Sequence, residues 1–299
     1  MASILSFVIL LFSFTTLSVA QTLCNGYEAL CSRSYSNVIF VGTHGSPFYG
    51  DTPLVTENQE RSPTDQLNDG IRYLQAQTHK NSAEKLSVCH TKCILEDGGT
   101  LENYLTTIKT WLDANPNEVL SVLLTNGDSL DISDFDAAFK NIGLDTYAFP
   151  APTTIAMAEW PSLGDPISVV IRLVVFLDYG ADESKVPYIL NEFGYYFETS
   201  FDWTDSSFNQ CSVDRPAGSI ADGKMYIVNH FLNVNMFGTG VLVPDRDAAP
   251  TTNAAIGDGS IGAQSGLCEG TYGRRSSAVL VDYYNVGDVF AAQAALNGL

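Results

Sequence analysis

Residues 119–126 read Val-Leu-Ser-Val-Leu-Leu-Thr-Asn, and residues 172–179 read Arg-Leu-Val-Val-Phe-Leu-Asp-Tyr. In both, apolar residues run on instead of alternating with polar ones, as in parallel strands covered on both faces. The same pattern recurs on either side at Val38–His44, Gly70–Gln77, Leu86–His90, Tyr195–Glu198, Met225–His230 and Ala278–Tyr284. Together these make eight strands, the number that a closed (β/α) barrel needs. Helical spacing falls between them. It is clearest over Thr100–Asn115, where Leu101, Leu105, Ile108 and Trp111/Leu112 share a face, Thr100 is the N-cap and Pro116 lies beyond the end. Ser133–Ile142, Glu183–Phe193 and Gly287–Leu296 read as further helices.

Phe149–Ile167, Thr204–Gly223 and Pro244–Gly266 are rich in Pro, Ser, Asp and Gly and read as loops. No repeat or linker divides the chain, so the expectation is α/β: a single (β/α)8 barrel with long loops on its working face. An apolar run from Ile4 to Leu17, followed by Ser18-Val19-Ala20, marks residues 1–20 as a secretory signal, leaving residues 21–299 as the barrel domain. The protein is expected to be secreted and extracellular.

Of the 299 residues, 34 are Asp or Glu and 15 are Lys or Arg, a formal charge of −19. A surface that acidic repels phosphate backbones and anionic lipid, which excludes nucleic acid and allows at most transient membrane-surface contact. Cys24, Cys31, Cys89, Cys93, Cys211 and Cys268 form an even set in a chain bound for an oxidising compartment. Fifteen pairings exist, and short separations favour Cys24–Cys31 and Cys89–Cys93, leaving Cys211–Cys268. Zinc on the Cys89–Cys93 pair lacks a second Cys/His pair at ligand spacing. No cofactor or metal is expected.

Three of the four histidines close predicted strands: His44, His90 and His230. The C-terminal ends of barrel strands form one rim, so these side chains converge despite their distance in sequence. Two imidazoles facing one bond suit acid–base cleavage of a phosphodiester, one taking a proton from a nucleophilic hydroxyl and the other giving one to the leaving oxygen. His230 taken singly reads as structural, and His79 reads as a solvated loop residue. Asp178, Asn229 and Asp282, at or near strand ends, are candidates to orient an imidazole or hold a substrate hydroxyl. Among the loop aromatics, Phe201–Phe208 with Trp203 reads as the best exposed candidate for touching lipid.

Val-Gly-Thr-His-Gly-Ser (41–46), Asp-Gly-Ile-Arg-Tyr-Leu-Gln-Ala-Gln (69–77), Cys-His-Thr-Lys-Cys (89–93), Gly-Gly-Thr-Leu-Glu-Asn-Tyr-Leu (98–105) and Asn-Pro-Asn-Glu-Val-Leu (115–120) resemble the X-domain pattern of phosphatidylinositol-specific phospholipases C. Residues 172–182 and 279–284 narrow the resemblance to secreted, fungal-type members of the PLC-like phosphodiesterases. It implies a distorted TIM barrel with His44 as general base and His90 as general acid. The pattern usually has Asn or Asp after its first His, where this chain has Gly45. Calcium-dependent members carry acidic ligands where this chain has Gln75, Gln77 and, approximately, Thr125 or Asn126, and metal-free bacterial members carry an Arg at the place of Gln77. Without a carboxylate there, nothing holds calcium. Arg72 shares a strand face with Leu74 and Ala76, so it points outward if the glutamines point in.

The expected activity is therefore metal-independent phosphodiester hydrolysis by a monomer on a small-molecule or lipid substrate. Gln75, Gln77, Asn126, Asp178, Asn229, His230 and Asp282 are the expected substrate-binding residues. A catalytically weak barrel that binds a sugar or glycolipid is the alternative. Glycoside hydrolysis by the pair Asp178 and Glu198 ranks last.

Overall fold

The computed structural model describes residues 23–51, 54–151, 153–165 and 171–299; the predicted signal lies outside them, as do parts of the Phe149–Ile167 loop. In chain order the strands are β1 Phe40–Thr43, β2 Tyr73–Lys80, β3 Leu86–Cys89, β4 Asp97–Thr100, β5 Leu120–Asn126, β6 Leu173–Leu177, β7 Ile189–Asn191, β8 Tyr196–Glu198, β9 Met225–Asn229, β10 Asn233–Asn235, β11 Leu242–Pro244 and β12 Ala278–Val281. Eight form a curled parallel sheet in the order β7-β6-β5-β2-β1-β12-β9-β8. β7 and β8 are its two edges, joined by one helical turn at Glu192–Tyr195. The hydrogen-bonded ladder is thus open at one seam, which makes the barrel a distorted one.

The continuous apolar runs follow from burial on both faces. In β5, Val122 and Leu124 pack outward with Leu101, Leu105 and Ile108 of the helix Leu101–Ala114, while Leu123 packs in the lumen with Tyr73, Phe176 and Leu280. Thr100 caps that helix, its hydroxyl accepting from the Asn103 N–H. Arg72 points outward as expected, donating to Glu118 at 2.7 Å and lying over Trp111.

Two expectations are corrected. Leu86–His90 is not a barrel stave, because β2 pairs directly with β5 from Tyr73 to Thr78 and leaves no slot for it. Instead β3 runs antiparallel to the end of β2, and β4 antiparallel to β3. The missing stave is β7, inside the predicted helix Glu183–Phe193. Pro187 interrupts helical hydrogen bonding there, and Ile189 and Leu190 are both buried beside β6. Two helices longer than one turn also escaped the sequence reading: Pro63–Asp69, and Ile261–Tyr272, which begins inside the predicted Pro244–Gly266 loop. The three disulfides pair as expected, Cys24–Cys31, Cys89–Cys93 and Cys211–Cys268.

Candidate active site

A cavity of about 510 Å³ opens at the C-terminal ends of the parallel strands, within the range of small-ligand sites. His44, the residue after β1, lines it. Asp282, the residue after β12, accepts from His44 Nδ1 at 2.9 Å, and Nε2 has no hydrogen-bond partner among the described residues. Burial pushes the Asp282 carboxyl up and the adjacent His44 pulls it back. The His44 ring lies flat on Phe231, centroids 3.9 Å apart. One imidazole is therefore fixed in position by a carboxylate and an aromatic face, with Nε2 available to take a proton.

The departure at Gly45 has a structural reason. Gly45 has φ of +56°, and a Cβ there would lie 2.7 Å from the carboxamide carbon of Asn58. Asn58 Nδ2 lies 3.3 Å from His44 Nδ1. The amide side chain beside the first imidazole thus comes from Asn58, fourteen residues on, and only glycine at 45 makes room for it.

His90 sits just beyond β3, in the five-residue loop closed by Cys89–Cys93, with its ring edge-on to the buried Phe48. Burial, and then the charge of His44, push the His90 imidazole down to about 4. The cavity wall itself is formed by its neighbour Thr91, whose N–H donates to Gln77 Oε1 at 2.8 Å.

The predicted substrate-binding residues divide into three groups. Gln75 and Gln77 point into the cavity, but their carbonyl oxygens hold the N–H groups of Gly45 and Thr91, so they brace the two histidine-bearing loops. Asn126 lines the cavity with its amide committed to Leu130 and Tyr179. Asn229 donates to Glu198 at 2.9 Å, and Asp178 accepts from Asn126 and Tyr179 N–H groups. Asp282 acts through His44 as described. His230 is a correction: it is fully buried, with its ring nitrogens bonded to Gln264 Oε1 and the Thr252 carbonyl. Asn229 faces the cavity, and strand alternation turns His230 the other way.

Two cavity residues escaped the sequence reading. Arg215, from the loop after β8, reaches Asp178 at 2.9 Å and Glu198 at 3.4 Å, ringed by Tyr179, Phe193 and Phe201. Burial opposes its charge, but Glu198, Glu192 and Asp178 outweigh that and hold the guanidinium protonated. Burial first, and Glu198 next, raise the fully buried Glu192 carboxyl well above its ordinary value. No motif marks Arg215; only folding places it here. The second is His79, which is not a solvated loop residue: it lies within β2, is 8% exposed, and lines the cavity. Among loop aromatics, Trp203 and Phe208 are buried against Leu232, and only Phe201 of that segment is exposed.

Cys89 and Cys93 are spent on each other and offer no thiolate to zinc. Among the described residues no three His, Cys, Asp or Glu side chains converge as metal ligands. The cavity's carboxylates, Asp178 and Glu198, are engaged by Arg215, and Gln75, Gln77, Thr125 and Asn126 line the same cavity without charge.

Fold and site define an α/β barrel with a histidine-lined cavity at its C-terminal rim. The chain belongs to the PI-PLC X domain family: the family model described as PI-PLC X 1 matches residues 30–297. A protein of Arthroderma benhamiae described as PI-PLC X domain-containing protein 1 is 52% identical over 95% of this chain and 93% of its own length. A second, described as an uncharacterized secreted protein from the same organism, is 41% identical over 92% of this chain, which spans 64% of it. Among solved structures, the phosphatidylinositol-specific phospholipase C of Listeria monocytogenes matches with a TM-score of 0.52 at 18% identity, covering 90% of this chain and 95% of that one. A Staphylococcus aureus phosphatidylinositol-specific phospholipase C matches with a TM-score of 0.56 at 14% identity, over 90% and 95% of the two chains. These structural likenesses bear on the fold.

Proposed function

We propose that the protein is a secreted, monomeric phospholipase C-like phosphodiesterase that works without a metal. His44 Nε2 takes the proton of a hydroxyl adjacent to the phosphate, and that oxygen attacks phosphorus. The bond to the leaving oxygen breaks as His90 delivers a proton to it, giving a cyclic phosphodiester that water opens with the two roles reversed. The observation that carries this reading is one cavity lined both by His44, oriented by Asp282, and by Thr91, the residue next to His90, although sequence separates the two histidines by 46 residues. The Arg215, Asp178, Glu198 and Asn229 cluster offers both donors and carboxylate acceptors, which suits the hydroxyls of a polyhydroxylated head group. Secretion agrees with three disulfides and with the description of the secreted relative.

The rim loops carry exposed apolar side chains: Ile94 and Phe237 are each 93% exposed, with Leu54, Leu95 and Val241 also outside. They suit brief contact with an uncharged lipid surface, whereas the charge of −19 disfavours anionic membrane and nucleic acid. The spent oxygens of Gln75 and Gln77 favour a second reading, a barrel that binds such a ligand without cleaving it. His44→Ala and His90→Ala decide between the two. Loss of phosphodiester turnover in each, with a cooperative unfolding transition retained, supports the mechanism; undiminished turnover in both removes it, and no turnover by the unaltered protein leaves the binding barrel.

A further inference from the structure

β2 runs three residues past its expected end at Gln77 because Thr78–Lys80 pair with β3. Strand side chains alternate, so His79 continues the inward ladder of Gln75 and Gln77 one rung nearer the mouth. Its Nδ1 is bonded to Asp128 Oδ1 at 2.8 Å, and the other Asp128 oxygen accepts from the Lys80 N–H. The hydrogen bond to His79 leads the effects that hold the Asp128 carboxyl below its ordinary range, with Lys92 a lesser one. A carboxylate anion therefore sits on one side of the ring.

The opposite nitrogen, Nε2, has no hydrogen-bond partner among the described residues although more than nine-tenths of the residue is buried, and the residue lines the cavity that His44 lines. Gly127 lies against the ring so closely that a Cβ would stand 2.7 Å from Nε2. Here a glycine is required by approach, not by its backbone angle. An imidazole with a carboxylate bonded behind it and its other nitrogen on the cavity side is placed to donate to an anion held there, with a charge-assisted hydrogen bond on each side of the ring.

We propose that His79 is the phosphate-contacting residue of this site, its Nε2–H donating to a non-bridging oxygen of a phosphate or phosphodiester. The residue thereby supplies the positive charge that Gln77 lacks. The inference rests on the phosphodiesterase reading for its biological meaning but not for its test, which reads binding.

The probes are inorganic phosphate and a soluble phosphodiester, titrated into protein carrying 15N-labelled histidine. The expected result is a saturable shift of the His79 Nε2 resonance with either probe. His79→Gln keeps the volume and removes the charge, and should weaken phosphate binding by about tenfold or more. Gly127→Ala should do the same by displacing the ring, even with His79 intact. A phosphate response without a diester response would confine the site to free phosphate and its monoesters, and would overturn the assignment to diesters. An unmoved His79 resonance at saturation, unaltered affinity in His79→Gln, or no binding by the unaltered protein overturns the proposal. A protein that binds through His79 yet cleaves no diester would refute the proposed activity and leave this inference standing.

Discussion

Raising the pH should switch off the free protein through His90. Its imidazole is pushed down to about 4, by burial first and by His44 second, against about 6.5 for an unperturbed histidine. The difference is roughly 3 kcal/mol against the imidazolium. If His90 must carry the proton for the leaving oxygen, the competent fraction is about one in ten at pH 5 and about one in a thousand at pH 7. kcat/KM on a soluble phosphodiester, which reports ionisations of the free protein and also needs the base imidazole unprotonated, should therefore fall about tenfold per pH unit between about pH 8 and 9, above the ordinary imidazole range. Folding carries the same signature. A histidine whose folded pKa lies below its unfolded value binds fewer protons when folded, so stability is intact above about pH 6.5 and is lost as the pH falls toward 4. The loss from His90 amounts to roughly 3 kcal/mol by pH 4. Burial lowers His230 as well, and it adds a loss in the same direction, so the measurement is a difference. Denaturant unfolding of His90→Asn should show about 3 kcal/mol less acid destabilisation than the unaltered protein between pH 7 and 4. A kcat/KM profile flat from about pH 8 to 9, together with equal acid sensitivity in the two proteins, would refute the reasoning.

Arg215→Met should destabilise the protein by about 3–5 kcal/mol, since it strands Asp178 and Glu198 beside the buried Glu192 without a counter-charge; thermal unfolding at neutral pH reads this, and part of the loss should return as the pH falls and the carboxylates protonate. An unchanged midpoint would show that the cluster is solvated. Ile94→Asp combined with Phe237→Asp should reduce sedimentation with zwitterionic phosphatidylcholine vesicles by about tenfold or more while leaving turnover of a soluble diester unchanged. Equal sedimentation of variant and unaltered protein would remove the rim loops from membrane contact.

The sheet was legible because burial on two faces writes itself into consecutive residues. Val122 and Leu124 face helices while Leu123 faces the lumen, so the run at 119–126 could be read without knowing its partners. The same signal misplaced one stave. Leu86–Cys89 is apolar for a different reason: it packs as an antiparallel excursion over the helix Leu101–Ala114, and nothing local separates that from a place in the barrel. β7 is only three residues long and follows Pro187 inside a helix-like spacing, so its identity depends on the open edge of β6.

The site divides along the same line. His44 could be found from its place at the end of an apolar run, and Asp282 because β12 lies next to β1 and delivers its following residue to the same height. His79 was hidden by one misplaced boundary: ending β2 at Gln77 puts His79 in a loop, whereas pairing with β3 extends the strand and turns the same residue inward. Arg215 was hidden more deeply, since a lone basic residue in a Pro- and Ser-rich loop carries no periodicity at all. Its position is set by the Glu198 N–H and carbonyl, which bond the Arg215 backbone and draw the loop back over the end of β8. The same excursion that spoiled the strand count does the most for the chemistry. By leaving the barrel, β3 and β4 place His90 next to Thr91 at the cavity wall and lengthen β2 far enough to bring His79 in, so two imidazoles line the cavity and a third stands beside it although only His44 stands at the end of a barrel stave.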